Sequence, residues 1–208
     1  MDYDAMLKYV YNILSSNNAL KPKKEESAFR NRYLHSKRVY YWAMRLLPDF
    51  LDIDKEVVLT AAIFHDVGYA YGKENHAINS SKIFIEYAKN NNLDEEFIDR
   101  VSNVIINHSD KTLLNNPLSS KELIILLEAD LLDEEGAMGI AWDLMALGYN
   151  KPTDYREGIT ALWIHSGHIL YQDYMVTPLA KKYWNEKKKL VSEFINAYKN
   201  DLFIEGEE

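Results

Sequence analysis

Thr60-Ala61-Ala62-Ile63-Phe64-His65-Asp66-Val67-Gly68-Tyr69 runs four apolar, helix-compatible residues straight into an adjacent imidazole and carboxylate, with a glycine two residues later. Burying a His-Asp pair behind such a run is costly unless a partner satisfies it. That partner is either a neighbouring polar side chain or a metal ion. Working outward, Asp52 or Asp54 is placed to cap the helix that carries Val57, Leu59 and Ala62 into the pair. Gly68 and Gly72 flank Tyr69-Ala70-Tyr71, which predicts an open loop after the helix.

Helical periods continue on both sides. Tyr3, Met6, Leu7, Val10 and Leu14 predict an amphipathic first helix that ends at Asn17-Asn18, followed by a charged link from Lys21 to Glu26. A second helix is predicted from about Ala28 to Leu47, stopped by Pro48, with His35 on or beside its apolar stripe. Helices from about Glu74 to Asn90, with Ile78, Ile83, Phe84 and Tyr87 inside, and from Asp94 to His108 follow. Ser119 with Glu122 reads as a capping box opening a helix apolar all round, Leu123 to Leu127, which delivers Asp130 to the interior. A helix through Met138, Ile140, Trp142 and Met145 ends at Gly148. Another, capped at Asp154, holds Leu162, Ile164, His165, His168 and Leu170. Thr177-Pro178 starts the last helix, with Leu190, Phe194, Ile195 and Tyr198 expected inside. No strand-period pair bounded by a tight turn occurs, so the fold class is all-α.

With 208 residues, 47% hydrophobic and 27% charged, the chain suits a single domain, 1–208. Its expected metal-site core spans about 28–135, with C-terminal helices 136–208 packed on it. The longest aliphatic run is Leu123 to Leu127, too short for a membrane span, and the acidic start Met1-Asp2-Tyr3-Asp4 is no signal pattern, so a cytoplasmic location is expected. A net charge of -8 argues against a nucleic-acid polymer as partner. With no cysteine, any metal must be held by nitrogen and oxygen. Such donors suit Mn, Fe, Co, Ni or Zn, and Mg if water and substrate oxygens fill most positions.

Four helices each bring a metal-capable residue to an apolar face: His35, His65 with Asp66, His108 and Asp130. His76 opens the helix after the motif loop. Each residue alone has an ordinary reading as a hydrogen-bonded core histidine or a helix-end aspartate. Two aspartates at the ends of the most apolar helices weaken that reading, because aspartate is almost never fully buried unpaired.

His35, the adjacent His65-Asp66 and a distant Asp130 resemble the His…His-Asp…Asp signature of the HD superfamily of metal-dependent phosphohydrolases, over about Asp2 to Leu202. The likeness is nearest to bacterial stand-alone HD-domain hydrolases. It runs through His35-Ser36-Lys37-Arg38-Val39, Asn107-His108-Ser109 and Glu128-Ala129-Asp130-Leu131-Leu132-Asp133, and continues through Gly136-Ala137-Met138-Gly139-Ile140-Ala141 and His168 ahead of Thr177. The resemblance implies an HD-domain helical bundle in which His35, His65, Asp66 and Asp130 hold a divalent metal ion. Asp66 would be able to bridge two ions. His76 and His108 match the histidines that complete a two-metal site in some HD hydrolases, and they stand as candidates for a second metal or for substrate phosphate.

Arg38, one turn after His35, can clamp a phosphate, with Lys73 and Lys111 as weaker versions of the same idea. Asp133 and Glu134 can orient a metal-bound water or pair with Arg38. Asp66, Arg38 and Asp133 are the expected catalytic set. His165 and His168 read as core or rim residues. Tyr33, Trp42, Tyr69, Tyr71 and Trp142 are candidates to stack on a base.

The family's usual Asp just before its first His is here Leu34, and its usual Lys shortly after the His-Asp pair is here Tyr69. No Gly-Tyr-Pro follows the pair, which argues against cyclic-dinucleotide cleavage. The expected function is a phosphohydrolase for a small phosphorylated metabolite, with a nucleotide favoured, in which metal-bound water attacks phosphorus. It would be a phosphomonoesterase or a nucleotide pyrophosphohydrolase, and a homodimer is compatible with it. The alternatives are a non-catalytic nucleotide- or metal-binding regulatory module, and a helical interaction protein with buried His-Asp hydrogen bonds.

Overall fold

Helix α3 (Lys55–Phe64) is buried at every residue from Val57 to Phe64, so the other elements pack around it. The computed structural model describes residues 1–20, 31–50, 52–149 and 154–203, without the side chain of Asp49. The link from Lys21 to Glu26 and the predicted start of the second helix at Ala28 lie outside the described residues. Those residues contain nine α-helices and no strand. α1 (Tyr3–Ser16), α2 (Arg32–Leu46) and α6 (Lys121–Glu134) pack with α3, and α4 (His76–Asn90) pairs with α5 (Glu95–Asn107). α7 (Ala137–Tyr149), α8 (Tyr155–Ile164) and α9 (Pro178–Asp201) follow, with α9 touching α2, α6, α7 and α8. Among the described residues no helix is long and apolar enough to cross a membrane.

Several boundaries follow from caps legible in the sequence. The Asp54 carboxylate accepts from the amides of Glu56 and Val57 at 3.0 and 3.2 Å, and Asp94 accepts from Phe97 at 3.1 Å. The α6 cap is one residue later than the capping box predicts. Ser120 accepts from Leu123 at 3.2 Å, whereas the Ser119 hydroxyl donates to the Leu113 carbonyl at 2.7 Å. The loop expected after the His-Asp pair is a 3-10 turn, Val67–Tyr71, released at Gly72 with φ 118°. The helix predicted through Leu170 stops at Ile164 and gives way to a 3-10 segment, Ser166–Tyr171. Gly167 is a poor helix residue, and Ser166 spends its hydroxyl on Asp143.

Two predicted inner faces are corrected. The buried stripe of α9 is Ala180, Trp184, Val191 and Ile195, while Leu190 and Phe194 are exposed. Ile78 on α4 is also exposed, and the helix packs through Ile83, Phe84 and Tyr87. A lysine-rich helix offers more than one plausible apolar stripe, and only its neighbours select among them.

The start of α9 is held by a carboxylate from α6. Glu128, fully buried, accepts from the amides of Val176 and Thr177 at 2.6 and 2.8 Å and from the Thr177 hydroxyl at 2.6 Å. Thr177 is the N-cap residue as predicted, but its hydroxyl goes to Glu128 and caps nothing in its own helix.

Candidate metal centre

Each polar residue of the centre sits where its helix meets the others. His35 lies on the first turn of α2, His65 caps the end of α3 with Asp66 next, and Asp130 lies in α6. The Nε2 atoms of His35 and His65 are 3.3 Å apart. His35 Nε2 is 3.1 Å from Asp130 Oδ1 and 3.6 Å from Asp66 Oδ2. His65 Nε2 is 3.8 Å from both Asp66 Oδ1 and Asp130 Oδ1. All four residues are buried.

A second cluster shares Asp66. Its Oδ1 is 3.6 Å from His76 Nε2 and 3.4 Å from His108 Nε2, and those two nitrogens are 3.3 Å apart. The Ser109 hydroxyl joins them at 3.1 and 3.4 Å. Glu134 reaches the first cluster from the mouth, with an oxygen within 4.8 Å of donor atoms of His35 and Asp130.

Outer contacts fix how the rings point. Nδ1 donates to the carbonyl three residues back in His65 (Ala62, 2.9 Å), His76 (Lys73, 3.1 Å) and His108 (Ile105, 2.6 Å). In the neutral ring Nε2 then carries a lone pair aimed at the centre. His35 Nδ1 instead meets the Asp133 carboxylate at 2.7 Å. Arg38 grips that carboxylate with Nε and Nη2 at 2.6 and 2.9 Å. Of the expected catalytic set, Arg38 and Asp133 thus pair with each other, and buried Asp133 orients His35 from behind.

Burial opposes the charged form of His35, but the carboxylates of Asp130 and Asp133 outweigh it and hold its pKa up at about 10. Burial drives His65 down to about 4 despite Asp66 and Asp130. It also lowers His76. For Asp66 and Asp130 burial favours the neutral acid, yet the surrounding imidazoles, with Arg32 for Asp66 and Lys111 for Asp130, keep both ionised well below the usual carboxylate range.

The donor set fits a divalent cation. Donors 2.0–2.2 Å from one ion stand about 3–3.6 Å apart, close to the spacings His35 makes with His65, Asp66 and Asp130 and to those among Asp66, His76 and His108, while Asp66 and Asp130 fall in separate donor groups that share His35. Imidazole lone pairs facing carboxylate oxygens at this range repel one another until a cation or proton intervenes. A metal ion held by these residues would have to displace the His35 proton, because this pKa lies above neutrality while those of His65, Asp66 and Asp130 lie below it. Mn affinity is therefore expected to rise about tenfold per pH unit between pH 6 and 8, with one proton released per ion, as calorimetry in buffers of different ionisation enthalpy would read. A flat affinity would contradict the proton assignment.

Two cations already touch the carboxylates. Lys111 Nζ lies 2.5 Å from Asp130 Oδ2, and Arg32 Nη1 lies 2.9 Å from Asp66 Oδ2. Arg32 stacks over the Tyr69 ring at 3.6 Å, and its buried Nε has no hydrogen-bond partner. Sequence reasoning missed Arg32, although it lies one turn before His35 just as Arg38 lies one turn after. Ser109 was likewise legible only as part of a motif. Lys73 meets the site through its backbone carbonyl.

Of the aromatics, Tyr69 lines the metal cleft and Trp142 lines an adjoining cavity. Tyr33 packs on Tyr11, Trp42 packs on Tyr183, and Tyr71 is exposed. His168 is a rim residue, 3.2 Å from Glu135, and His165 is exposed.

Gly68 carries the backbone past the start of α4, and its amide donates to the Ser80 hydroxyl at 2.7 Å. A Cβ there would meet the backbone of His76 and Ser80. Gly68→Ala is expected to cost about 1–3 kcal/mol and to displace His76 from the second cluster. A melting curve and Mn stoichiometry equal to wild type would contradict this.

A helical bundle that gathers imidazoles and carboxylates from separate helices is the architecture of a mixed nitrogen-oxygen metal centre. The family model of the HD domain matches residues 32–135, and the chain belongs to that family. No curated protein matches the sequence. Among solved structures, an HD-superfamily hydrolase from Bacillus thuringiensis is similar at TM-score 0.66 and 19% identity, covering 97% of each chain. A predicted HD superfamily hydrolase from an uncultured Thermotogales bacterium gives 0.64 and 19%, covering 96% of this chain and 92% of that one. Bacillus subtilis YpgQ in complex with ADP gives 0.63 and 21%, covering 98% of each. At these identities the likeness is one of fold, and it extends beyond residue 135 into the C-terminal helices.

Proposed function

We propose that this chain is a metal-dependent phosphohydrolase acting on a small phosphorylated metabolite, with a nucleotide as the favoured substrate. The observation that carries the reading is that His35 Nε2 lies 3.1–3.6 Å from donor atoms of His65, Asp66 and Asp130, and His65 Nε2 3.8 Å from both carboxylates, beside a cleft that His35, Asp66 and Asp130 line. These four are assigned as ligands of one divalent ion. Asp66, His76 and His108 are assigned to a second. A phosphate oxygen beside the Asp66 carboxylate and imidazole lone pairs would be repelled without a cation between them.

When bound, such ions supply Lewis acidity, which acidifies water and neutralises charge building on phosphoryl oxygens. The chain's residues do the rest. Asp133, gripped by Arg38, keeps His35 pointed inward, and the carbonyls of Ala62, Lys73 and Ile105 do the same for the other rings. Arg32 and Lys111 line the cleft and offer positive charge to the phosphate once the ions take over their carboxylates. The ADP complex of YpgQ supports the choice of a nucleotide.

A panel of nucleoside mono-, di- and triphosphates with added Mn, scored for phosphate and pyrophosphate, tests the reading. Mn-dependent turnover of at least one nucleotide, lost on adding a chelator, is expected. Nucleotide binding without turnover of any member would favour a regulatory module instead.

A further inference from the structure

Helix α7 carries one charged residue, Asp143, yet only Gly139 and Ile140 of its residues are buried. Met138, Ala141, Trp142 and Met145 recur at three- and four-residue spacing and so share one face. That face does not close against the core. With Leu34 on α2 opposite, it lines a cavity of about 260 Å³, and Met138, Met145 and Leu34 are 44%, 52% and 47% exposed. His35 and Glu134 line both this cavity and the cleft that holds Asp66, His76 and His108, so the two spaces adjoin across these residues.

We infer that this cavity takes the base of a nucleotide whose phosphates lie at the metal centre, which makes α7, outside the family-matched segment, the element that chooses the substrate. The inference rests on the phosphohydrolase reading above. Its chemistry follows from the lining. Of the described lining residues Arg38 and His35 are the cations, and both are turned to the Asp133 carboxylate, with Glu134 as a further acid, so the walls favour a flat apolar group over a second phosphate. A nucleotide joins such a group to phosphates, matching an apolar chamber that adjoins the candidate metal cleft. The volume lies just under the roughly 300 Å³ where ordinary small-molecule pockets begin, which suits a base better than a long chain. Trp142 offers a ring for stacking, and the two flexible thioethers can adapt to purine or pyrimidine.

The test compares probes with and without a base on wild type, Ala141→Trp, which fills the cavity from an exposed position, and Trp142→Ala. With Mn present, kcat and KM are measured for ATP against inorganic tripolyphosphate and for AMP against ribose 5-phosphate. Wild type should prefer the base-bearing member of the pair it hydrolyses. In Ala141→Trp the kcat/KM ratio within that pair should fall about tenfold or more, chiefly through KM of the nucleotide, and Trp142→Ala should move it the same way. A ratio unchanged in both folded variants, or a wild type indifferent to the base, would overturn the inference and leave phosphohydrolysis standing. Absence of turnover on all four probes would overturn the phosphohydrolase reading and the inference with it.

Discussion

Asp66→Ala is expected to lower nucleotide hydrolysis by several orders of magnitude and to abolish binding of two Mn ions. Among the described residues Asp66 is the one carboxylate in both donor groups, 3.6 Å from His35 and 3.4 Å from His108. Removing it takes a negative donor from each set at once. The same change strips Arg32 of its 2.9 Å partner in a buried setting, so some stability is lost as well. Asp66→Asn, which keeps the shape and can still accept from Arg32, separates the two effects. It should fold close to wild type and remain inactive. Kinetics on the nucleotide panel, with circular dichroism as the fold check, reads both variants. An unchanged rate in either would move the chemistry away from this centre.

Glu128→Ala should be among the most destabilising single substitutions in the chain. It would leave two amides and a hydroxyl, at Val176 and Thr177, without the acceptor that holds the start of α9. Each buried donor left without an acceptor costs about 1–3 kcal/mol, and three are left here. For a chain of this length that corresponds to a melting temperature lower by roughly 10 °C or more. Glu128→Gln retains one acceptor and should fall between the two. Thermal melts followed at 222 nm give the order. A Glu128→Ala melt matching wild type would mean that α9 is held by its apolar stripe alone.

The sequence discloses local determinants and hides distant ones. Asp54 and Asp94 cap where expected because a cap is decided within three residues. Ser119 misleads because its hydroxyl is drawn to Leu113, six residues back, and the cap passes to Ser120. The partners of Glu128 lie 48 and 49 residues away, beyond any periodicity argument. At the site, His35, His65, Asp66 and Asp130 were legible because each stands out against an apolar helix. Arg32 was not, since an arginine beside a helix start looks like any solvated charge. The α7 stripe shows the limit most plainly. Its spacing declares an apolar face, but whether core or cavity covers that face depends on Leu34, about a hundred positions earlier.

The most direct measurement is anomalous diffraction from crystals grown with Mn. A peak coordinated by His35 Nε2, His65 Nε2, Asp66 and Asp130 is predicted, joined at higher Mn by a second against Asp66, His76 and His108. Fully soaked crystals with no peak between α2, α3 and α6, or with Lys111 still seated on Asp130, would contradict the account.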